Sequence, residues 1–518
     1  MPEKAKEFVF ANAVESMPGV RVLYGSKDSY ELQIPAINEI ESIFGIKWAN
    51  KIWDGHANPP EIPGNVELGK KLSEIVGSDN VFLDASIRLK HSLGMSSPEI
   101  LDVRNSNFPA IVDAVVTPDE KDIIPLLAFL ESMKIHGVIY GGGTSVNGSL
   151  QSKKNAETVA ISTERLRKLN ISEDYAVVGS GWKGFELENK LNASGYTLGH
   201  FPESMEGSTL GGWIATKAAG QESNYYGSIE DRMLAVSIMR SDGVVADTIS
   251  PRESAGLMAK DVAAGSEGKF GIITEAAVKL DRLPTKRFYR TFVVESFEAG
   301  IAFLRNMKEI PAITRLSDGV ETEFSMKNSR DSIGLKYVRK VVRMRKFIDP
   351  SLLITIDNNQ DRITKPPRSI SIGSSPAKIW ERDRYKRPYL GNELWMRGIV
   401  PDTLETSARW ENLVELYNST ISLFKTLQGE RKFRGFIMSH ISHVYPQGAC
   451  IYFTFAIKSN KEPDDLIAIR DAMLSNFIRM GSPVTHHHGP GKLMRKFVDG
   501  NKLHMQSLLR DPVFSEVG

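Results

Sequence analysis

The feature that most narrows the fold of this chain is a strand–helix–strand run that leads directly into five small residues, Gly141-Gly142-Gly143-Thr144-Ser145. Ala110-Ile111-Val112-Asp113-Ala114-Val115-Val116 is short, apolar and β-branched, which fits a buried strand. Thr117-Pro118-Asp119-Glu120 then reads as a helix start: a Thr cap, Pro at the first position, and acids in the first turn. Ile123, Ile124, Leu127 and Leu130 share one face of that helix, which is expected to end near His136-Gly137. Val138-Ile139-Tyr140 forms the second strand. A glycine cluster at the end of such a strand lets backbone N–H groups approach an anionic phosphate without Cβ interference, and Thr144 and Ser145 add hydroxyl donors. The loop is neither GxGxxG nor a Walker A motif, and alone it fits a simple tight turn equally well.

Two later segments change that balance. His200-Phe201-Pro202-Glu203-Ser204 leads into Gly207-Ser208-Thr209-Leu210-Gly211-Gly212-Trp213, and Gly265-Ser266-Glu267-Gly268-Lys269-Phe270-Gly271-Ile272-Ile273 follows. Each joins small residues and hydroxyls to an apolar strand. Three such segments suit a long, extended dinucleotide better than three unrelated turns. Strands are also expected at Thr158–Ser162, Ala176–Val178 and Leu234–Met239, with a helix from Lys183 ended by Gly195. From about 286 the chain is richer in Arg, Lys and Pro, and 360–390 reads as polar loop. Cys450–Ala456 reads as strand and the region around Asp464–Met480 as helix.

With 518 residues, the chain exceeds one ordinary core. The expected division is an N-terminal helical segment over 1–106, a cofactor-binding unit over 107–285, and an α+β substrate or cap unit over 286–518 carrying a C-terminal active-site segment. A net charge of +2 gives no overall electrostatic case for nucleic acid or an anionic membrane. The single cysteine, Cys450, excludes an internal disulfide and fits a reducing compartment. The first residues, MPEKAKEFVFANAVESMPG, scatter charge where a signal peptide needs an apolar run, and no stretch approaches a membrane span. A cytoplasmic protein is expected.

The three segments, in this order, resemble the FAD-binding module of the vanillyl-alcohol oxidase/p-cresol methylhydroxylase superfamily. GSEGKFGIITEA, residues 265–276, is the closest stretch. RLSDGVET (315–322), DTLETSARW (402–410), GACIYFTFA (448–456) and THHHGPGKL (485–493) resemble alkyldihydroxyacetonephosphate synthases and their microbial relatives. The resemblance implies an α+β fold, with a two-subdomain PCMH-type FAD-binding domain under an α+β cap. It implies FAD contacts at Ile139, Tyr140, Gly141, Gly142, Gly143, Thr144 and Ser145; at Glu203, Ser204, Ser208 and Thr209; at Ala215, Thr216, Lys217 and Ala218; and at Glu267, Gly268, Gly271, Ile272 and Ile273. Several superfamily members tether flavin through a His beside the glycine loop. This loop has Thr144, Ser145 and Val146 there, so a non-covalent FAD is implied.

The resemblance further implies an enzyme that exchanges the acyl chain of acyl-dihydroxyacetone phosphate for a fatty alcohol, the exchange that makes an ether lipid, without net redox change. Tyr452 matches that family's catalytic tyrosine, His486, His487 and His488 its histidine triplet, and Arg315 an arginine near its active site. Read without the family, Tyr452 is more readily a packed strand tyrosine than a catalytic one, and Arg315 the partner of Asp318 or Glu321. Three consecutive histidines cannot all point at one metal, so no metal is expected. His91 is also familiar from microbial relatives and is given no role.

One departure bears on the substrate. After Pro388-Tyr389-Leu390 the family carries an arginine for the substrate phosphate, and this chain carries Gly391, with Arg387 and Arg397 nearby. The C-terminal Asp511-Pro512-Val513-Phe514 departs as well. The alternative is an FAD-linked 2-hydroxy-acid dehydrogenase of the D-lactate or glycolate type, against which the triplet argues. The expected partners are a small-molecule or lipid substrate and no nucleic acid. Transient membrane contact and a homodimer stay open.

Overall fold

The computed structural model describes residues 20–25, 30–108, 110–150, 156–329 and 333–514. The N-terminal stretch read for a signal peptide, Pro109 and the last four residues lie outside them. Two sheets carry the glycine-rich segments. The first orders its strands Val81–Phe82, Ala114–Val116, Thr158–Ser162 and His136–Tyr140, the last three parallel. The second is antiparallel, ordered Gly243–Ala246, Met233–Arg240, Ile272–Lys279, Tyr175–Gly179 and Leu169–Ile171.

The strand–helix–strand reading holds in kind and shifts in its bounds. The helix is Ile123–Ser132, preceded by a single 3₁₀ turn at Glu120–Asp122 with Asp119, not Thr117, at its start. It stops at Ser132, and His136-Gly137 already belong to the next strand. Lys134 takes a left-handed φ of 55° at the turn, so the reversal happens before the glycine that was expected to mark it. Burial of Ile123, Leu126, Leu127 and Leu130 against Val159, Ile161 and Leu72 holds this helix on its sheet.

The third sheet has seven antiparallel strands in the order Ile370–Gly373, Arg287–Val294, Ser351–Asn358, Ile313–Ser317, Arg434–Tyr445, Gly448–Lys458 and Val400–Arg409. Helices Trp410–Arg431 and Glu462–Arg479 cover one face and bury Phe424, Leu466, Met473 and Phe477 against Phe453, Phe455 and Ile437. Alternation along a strand then sends the intervening residues, Tyr452 and Thr454, to the opposite face.

The polar loop reading of 360–390 fails from Ile370 onward. Strand Ile370–Gly373 and helices Ser375–Asp383 and Arg387–Trp395 fill it. Pro376 and Pro388 stand in the first turns of these helices, where a missing N–H costs nothing, so they start helices instead of marking loops. Tyr389, Leu394 and Trp395 are buried, and this packing outweighs the polar composition.

Candidate functional site

A cavity of about 670 Å³ lies between the glycine-rich segments and the open face of the seven-stranded sheet. Of the residues singled out from sequence, Ile139, Gly141, Gly142, Gly143, Thr144, Ser145, Glu203, Ser204, Ser208, Thr209, Ala215, Thr216, Ala218, Glu267, Gly268, Gly271, Ile273, Arg315, Tyr452, His487 and His488 line it. Four do not. Tyr140 turns inward, its ring 4.2 Å from that of His91. Ile272 is fully buried in the core of the first sheet. Lys217 caps helix Leu210–Thr216 with φ 55° and faces Glu230. His486 hydrogen-bonds the Tyr445 hydroxyl at 2.7 Å.

The segments meet at close range. A Cβ on Gly142 would stand 1.8 Å from the Gly207 carbonyl oxygen, so the first two segments touch backbone to backbone and only glycine fits. Thr209 Oγ1 accepts from Gly212 N–H at the start of helix Leu210–Thr216. The third segment turns at Glu267 and Gly268, both with positive φ, and Glu267 N–H donates to Ala215 O at 2.8 Å. The result is a continuous wall of backbone and small polar side chains. Glu203 on that wall is half-buried, and its Oε1 is shielded from solvent with no hydrogen-bond partner among the described residues. An unpaired buried carboxylate costs free energy, and a polar ligand such as a ribityl or ribose hydroxyl would satisfy it. These residues fit FAD, which supplies the redox-active or electrophilic ring when bound.

The catalytic wall is set by strand register. Glu405, Tyr452 and His440 stand directly opposite one another on three adjacent strands, so their side chains share one face. The His440 ring stacks on Tyr452 at 5.0 Å with 12° between planes. Tyr452 Oη lies 3.0 Å from His488 Nε2, and His488 Nδ1 lies 3.1 Å from Glu405 Oε1. With Nδ1–H donating to Glu405, His488 presents Nε2 as acceptor for the Tyr452 hydroxyl. Burial holds the Tyr452 hydroxyl well above its ordinary range, so it is a proton donor until His488 takes its proton.

Glu405 organises the triplet. Its carboxylate accepts the backbone N–H groups of His486, His487 and His488 and the Thr485 hydroxyl. The neighbouring histidines hold it well below the usual carboxylate range despite its burial. From the other side, Asn147 Nδ2 donates to Gly489 O at 2.6 Å, and Gly491 N–H donates to Glu267 Oε1 at 2.7 Å. Gly489 and Gly491 have φ of 70° and 50°, which allow the loop to cross this close to the third segment.

At the other edge of Tyr452, Arg315 Nη2 donates to Glu321 Oε1 at 2.5 Å, with Arg387 Nη1 3.4 Å from the same oxygen and His440 Nδ1 3.1 Å from Oε2. Arg315 is the salt-bridge partner of Glu321, not of Asp318, which instead accepts the Ser439 and Glu321 N–H groups. Burial lowers Arg315 to about 10 and His440 to about 4, so His440 is a neutral imidazole at pH 7. Gly391 faces the cavity with only Pro401 Cγ near a would-be Cβ, at 3.9 Å. Arg387, one helical turn earlier, lines the cavity, whereas Arg397 points away to Trp48 O and Glu393. Beyond Tyr452 the wall becomes apolar, with Ile40, Phe324, Trp395, Phe436 and Met438.

Sequence reasoning missed Glu405, His440 and Asn147, and named Glu321 only as a partner for Arg315. Glu405 and Glu321 lie inside the quoted stretches DTLETSARW and RLSDGVET, so their positions were visible and only the register that aims them was not. His443, Cys450, His486 and His487 also gather, one donor atom each within 4.8 Å of one another. Both ring nitrogens of His443 are already engaged, by Ser442 Oγ and Gly220 O, and those of His486 by Tyr445 and His487.

Comparison with known proteins agrees with this geometry. Residues 112–248 match the FAD binding domain family and 283–504 the C-terminal domain of FAD linked oxidases. The alkyldihydroxyacetonephosphate synthase of Dictyostelium discoideum is 28% identical over 492 residues, covering 89% of this chain and 80% of that protein. The synthase of Trypanosoma brucei brucei is 29% identical over 455 residues, 81% of this chain and 74% of its own. A solved alkyldihydroxyacetonephosphate synthase structure superposes with a TM-score of 0.74 at 26% identity, covering 89% and 85% of the two chains. A mitochondrial D-lactate dehydrogenase of Arabidopsis thaliana matches only 42% of this chain. Two matched domains that meet at one cavity, and likeness over most of the chain to alkyldihydroxyacetonephosphate synthases, place this chain in the FAD-linked oxidase family as an FAD-dependent enzyme.

Proposed function

We propose that the enzyme exchanges the acyl chain of acyl-dihydroxyacetone phosphate for a long-chain alcohol, as its synthase relatives are named for. The observation that carries this reading is the Glu405–His488–Tyr452 chain, which opens on a cavity with cofactor segments at one end and an apolar wall at the other. Such an exchange needs one group to move protons between substrate carbon, leaving carboxylate and incoming alcohol, and a dry slot for the alkyl chain. Tyr452 moves the proton through its hydroxyl, His488 receives it at Nε2, and Glu405 stabilises the imidazolium that forms. His487 lines the same wall, while His486 braces the loop through Tyr445. Arg387 takes the role of the cation absent at Gly391 and, with Arg315, holds the anionic end of the substrate.

FAD is held by the cavity-lining residues of the three segments and of helix Leu210–Thr216, without Tyr140, Lys217 and Ile272, and is not tethered to the chain, with the cofactor unit spanning 107–285 and the cap 286–518. No helix among the described residues is long and apolar enough to cross a membrane. The single cysteine suits a cytoplasmic location, a lipid substrate calls for transient membrane contact, and a homodimer is compatible with both. Incubation with acyl-dihydroxyacetone phosphate and labelled hexadecanol should give an ether product with no net flavin reduction. Absence of ether, with flavin bleached anaerobically by D-lactate, would instead support a 2-hydroxy-acid dehydrogenase. In that second reading the paired arginines around Glu321 would hold a carboxylate where the first reading places a phosphate.

A further inference from the structure

Helix Ile333–Met344 and the turn after it carry Lys336, Arg339, Lys340, Arg343, Arg345 and Lys346, with no acidic residue from Ile333 to Ile348. All six cations are exposed. The chain as a whole is almost neutral at +2, so this is a local concentration of charge. The inner side of the helix is anchored: Val338 is buried, and Val341, Val342 and Phe347 pack against the core formed by Ile354, Ile356 and Ile370. The outer side is not purely polar. Tyr337, Met344 and Ile348 are 65%, 71% and 88% exposed among the cations. Isolated exposed apolar residues are ordinary, but three set among six cations on one anchored element are the pattern of an interfacial helix.

Its place in the fold adds to this. The preceding helix Gly319–Lys327 and the residue after it put Phe324, Ser325 and Asn328 into the cavity wall, and the basic helix begins five residues beyond Asn328. Asn328 Oδ1 accepts the Gln33 N–H at 3.0 Å, and the neighbouring Ile34 is 72% exposed. Exposed Ile34 thus stands beside the cavity residue Asn328, and the cationic helix follows that part of the wall in sequence.

We propose that this helix docks the enzyme on an anionic lipid surface, with the phosphates paired to the cations and Tyr337, Met344 and Ile348 sunk at the headgroup level. Met344 and Ile348 have no ring to stack on a base, which argues against nucleic acid as the occupant. Each cation at an anionic surface is worth about fivefold in partition. The surface deepens the lipid-substrate reading and rests on it only for its purpose, because vesicle binding is measured without turnover.

The test is sedimentation of the full-length, FAD-loaded protein with phosphatidylcholine vesicles with or without phosphatidylserine. Binding should require phosphatidylserine and weaken with salt. The triple variant Arg339→Glu, Lys340→Glu, Arg343→Glu should lose roughly 100-fold in partition. The variant Tyr337→Ser, Met344→Ser, Ile348→Ser should also bind less, with flavin absorbance and circular dichroism unchanged in both. Equal binding to pure phosphatidylcholine, binding unaffected by both variants, or tight binding of a DNA oligonucleotide without vesicle binding would each overturn the proposal. Ether formation from detergent-dispersed substrate separates the two readings: its failure removes the reaction and leaves the docking surface to stand on the vesicle result.

Discussion

Replacing Glu405 by Gln should loosen the histidine loop before it disturbs anything else. The carboxylate accepts from the N–H groups of His487 and His488 at 3.2 Å each, from the Thr485 hydroxyl at 2.7 Å, and from the His486 N–H. It also faces His488 Nδ1 at 3.1 Å. An amide has one acceptor oxygen, so with that oxygen in the Oε1 position its NH₂ points at the His486 N–H, donor against donor. One buried unsatisfied donor costs about 1–3 kcal/mol, and the surviving bonds lose about 1 kcal/mol more as the acceptor becomes neutral. A total of about 3 kcal/mol corresponds to a roughly 100-fold rise in local opening. The measurement is hydrogen–deuterium exchange of peptides covering Thr485–Leu493 in the FAD-loaded enzyme. Exchange there should accelerate by about two orders of magnitude while peptides of helix Trp410–Arg431 stay unchanged. Exchange within roughly threefold of the parent would refute the reasoning and assign the loop's order to Asn147 and Glu267 instead.

Tyr452→Phe should retain FAD and lose ether formation by about 10³-fold or more, which the hexadecanol assay reads directly; full activity would remove Tyr452 from the chemistry. Gly142→Ala should yield protein depleted in flavin, because its Cβ would stand 1.8 Å from the Gly207 carbonyl oxygen and backbone must move; the ratio of flavin to protein absorbance reports it. His440 and His443 are pushed by burial down to about 4 and about 3. The unfolded chain therefore takes up their protons first, so stability should fall as pH drops from about 6.5 towards 4, with Glu405 adding to the loss at lower pH. Asp318 is raised by burial to about 7 and works in the opposite sense, its contribution fading as pH rises through that value. Melting temperature against pH, for the parent and His440→Asn, checks the sign: a flatter acid limb in the variant is expected. Arg387→Met should raise the KM for the anionic substrate at least tenfold with little change in bound FAD, and an unchanged KM would leave Gly391 without a substitute.

What the sequence made legible and what it hid divide along a physical line. Strand, helix and glycine-loop chemistry is local: Thr158–Ser162 is a strand because it is short, apolar and β-branched, and Gly142 is glycine because a carbonyl oxygen sits where its Cβ would be. Such requirements are written in consecutive residues. Register is not. Glu405 and Tyr452 are 47 positions apart, and nothing in either segment says that they pair, or that His440 stands on the far side of Tyr452. The pairing follows from a bulge between Ile441 and His443 and from packing of the opposite face against two helices. A one-residue slip would send Tyr452 into that packed core and Phe453 into the cavity. The same reasoning explains the misreading of 360–390, where composition is polar but the helix that closes it sends Leu394 and Trp395 into cores shared with residues far away in sequence, and buries Tyr389 against Tyr24. Arg387 reaches the cavity only because those apolar residues anchor the helix that carries it, so the cation nearest Gly391 is placed by packing and not by motif.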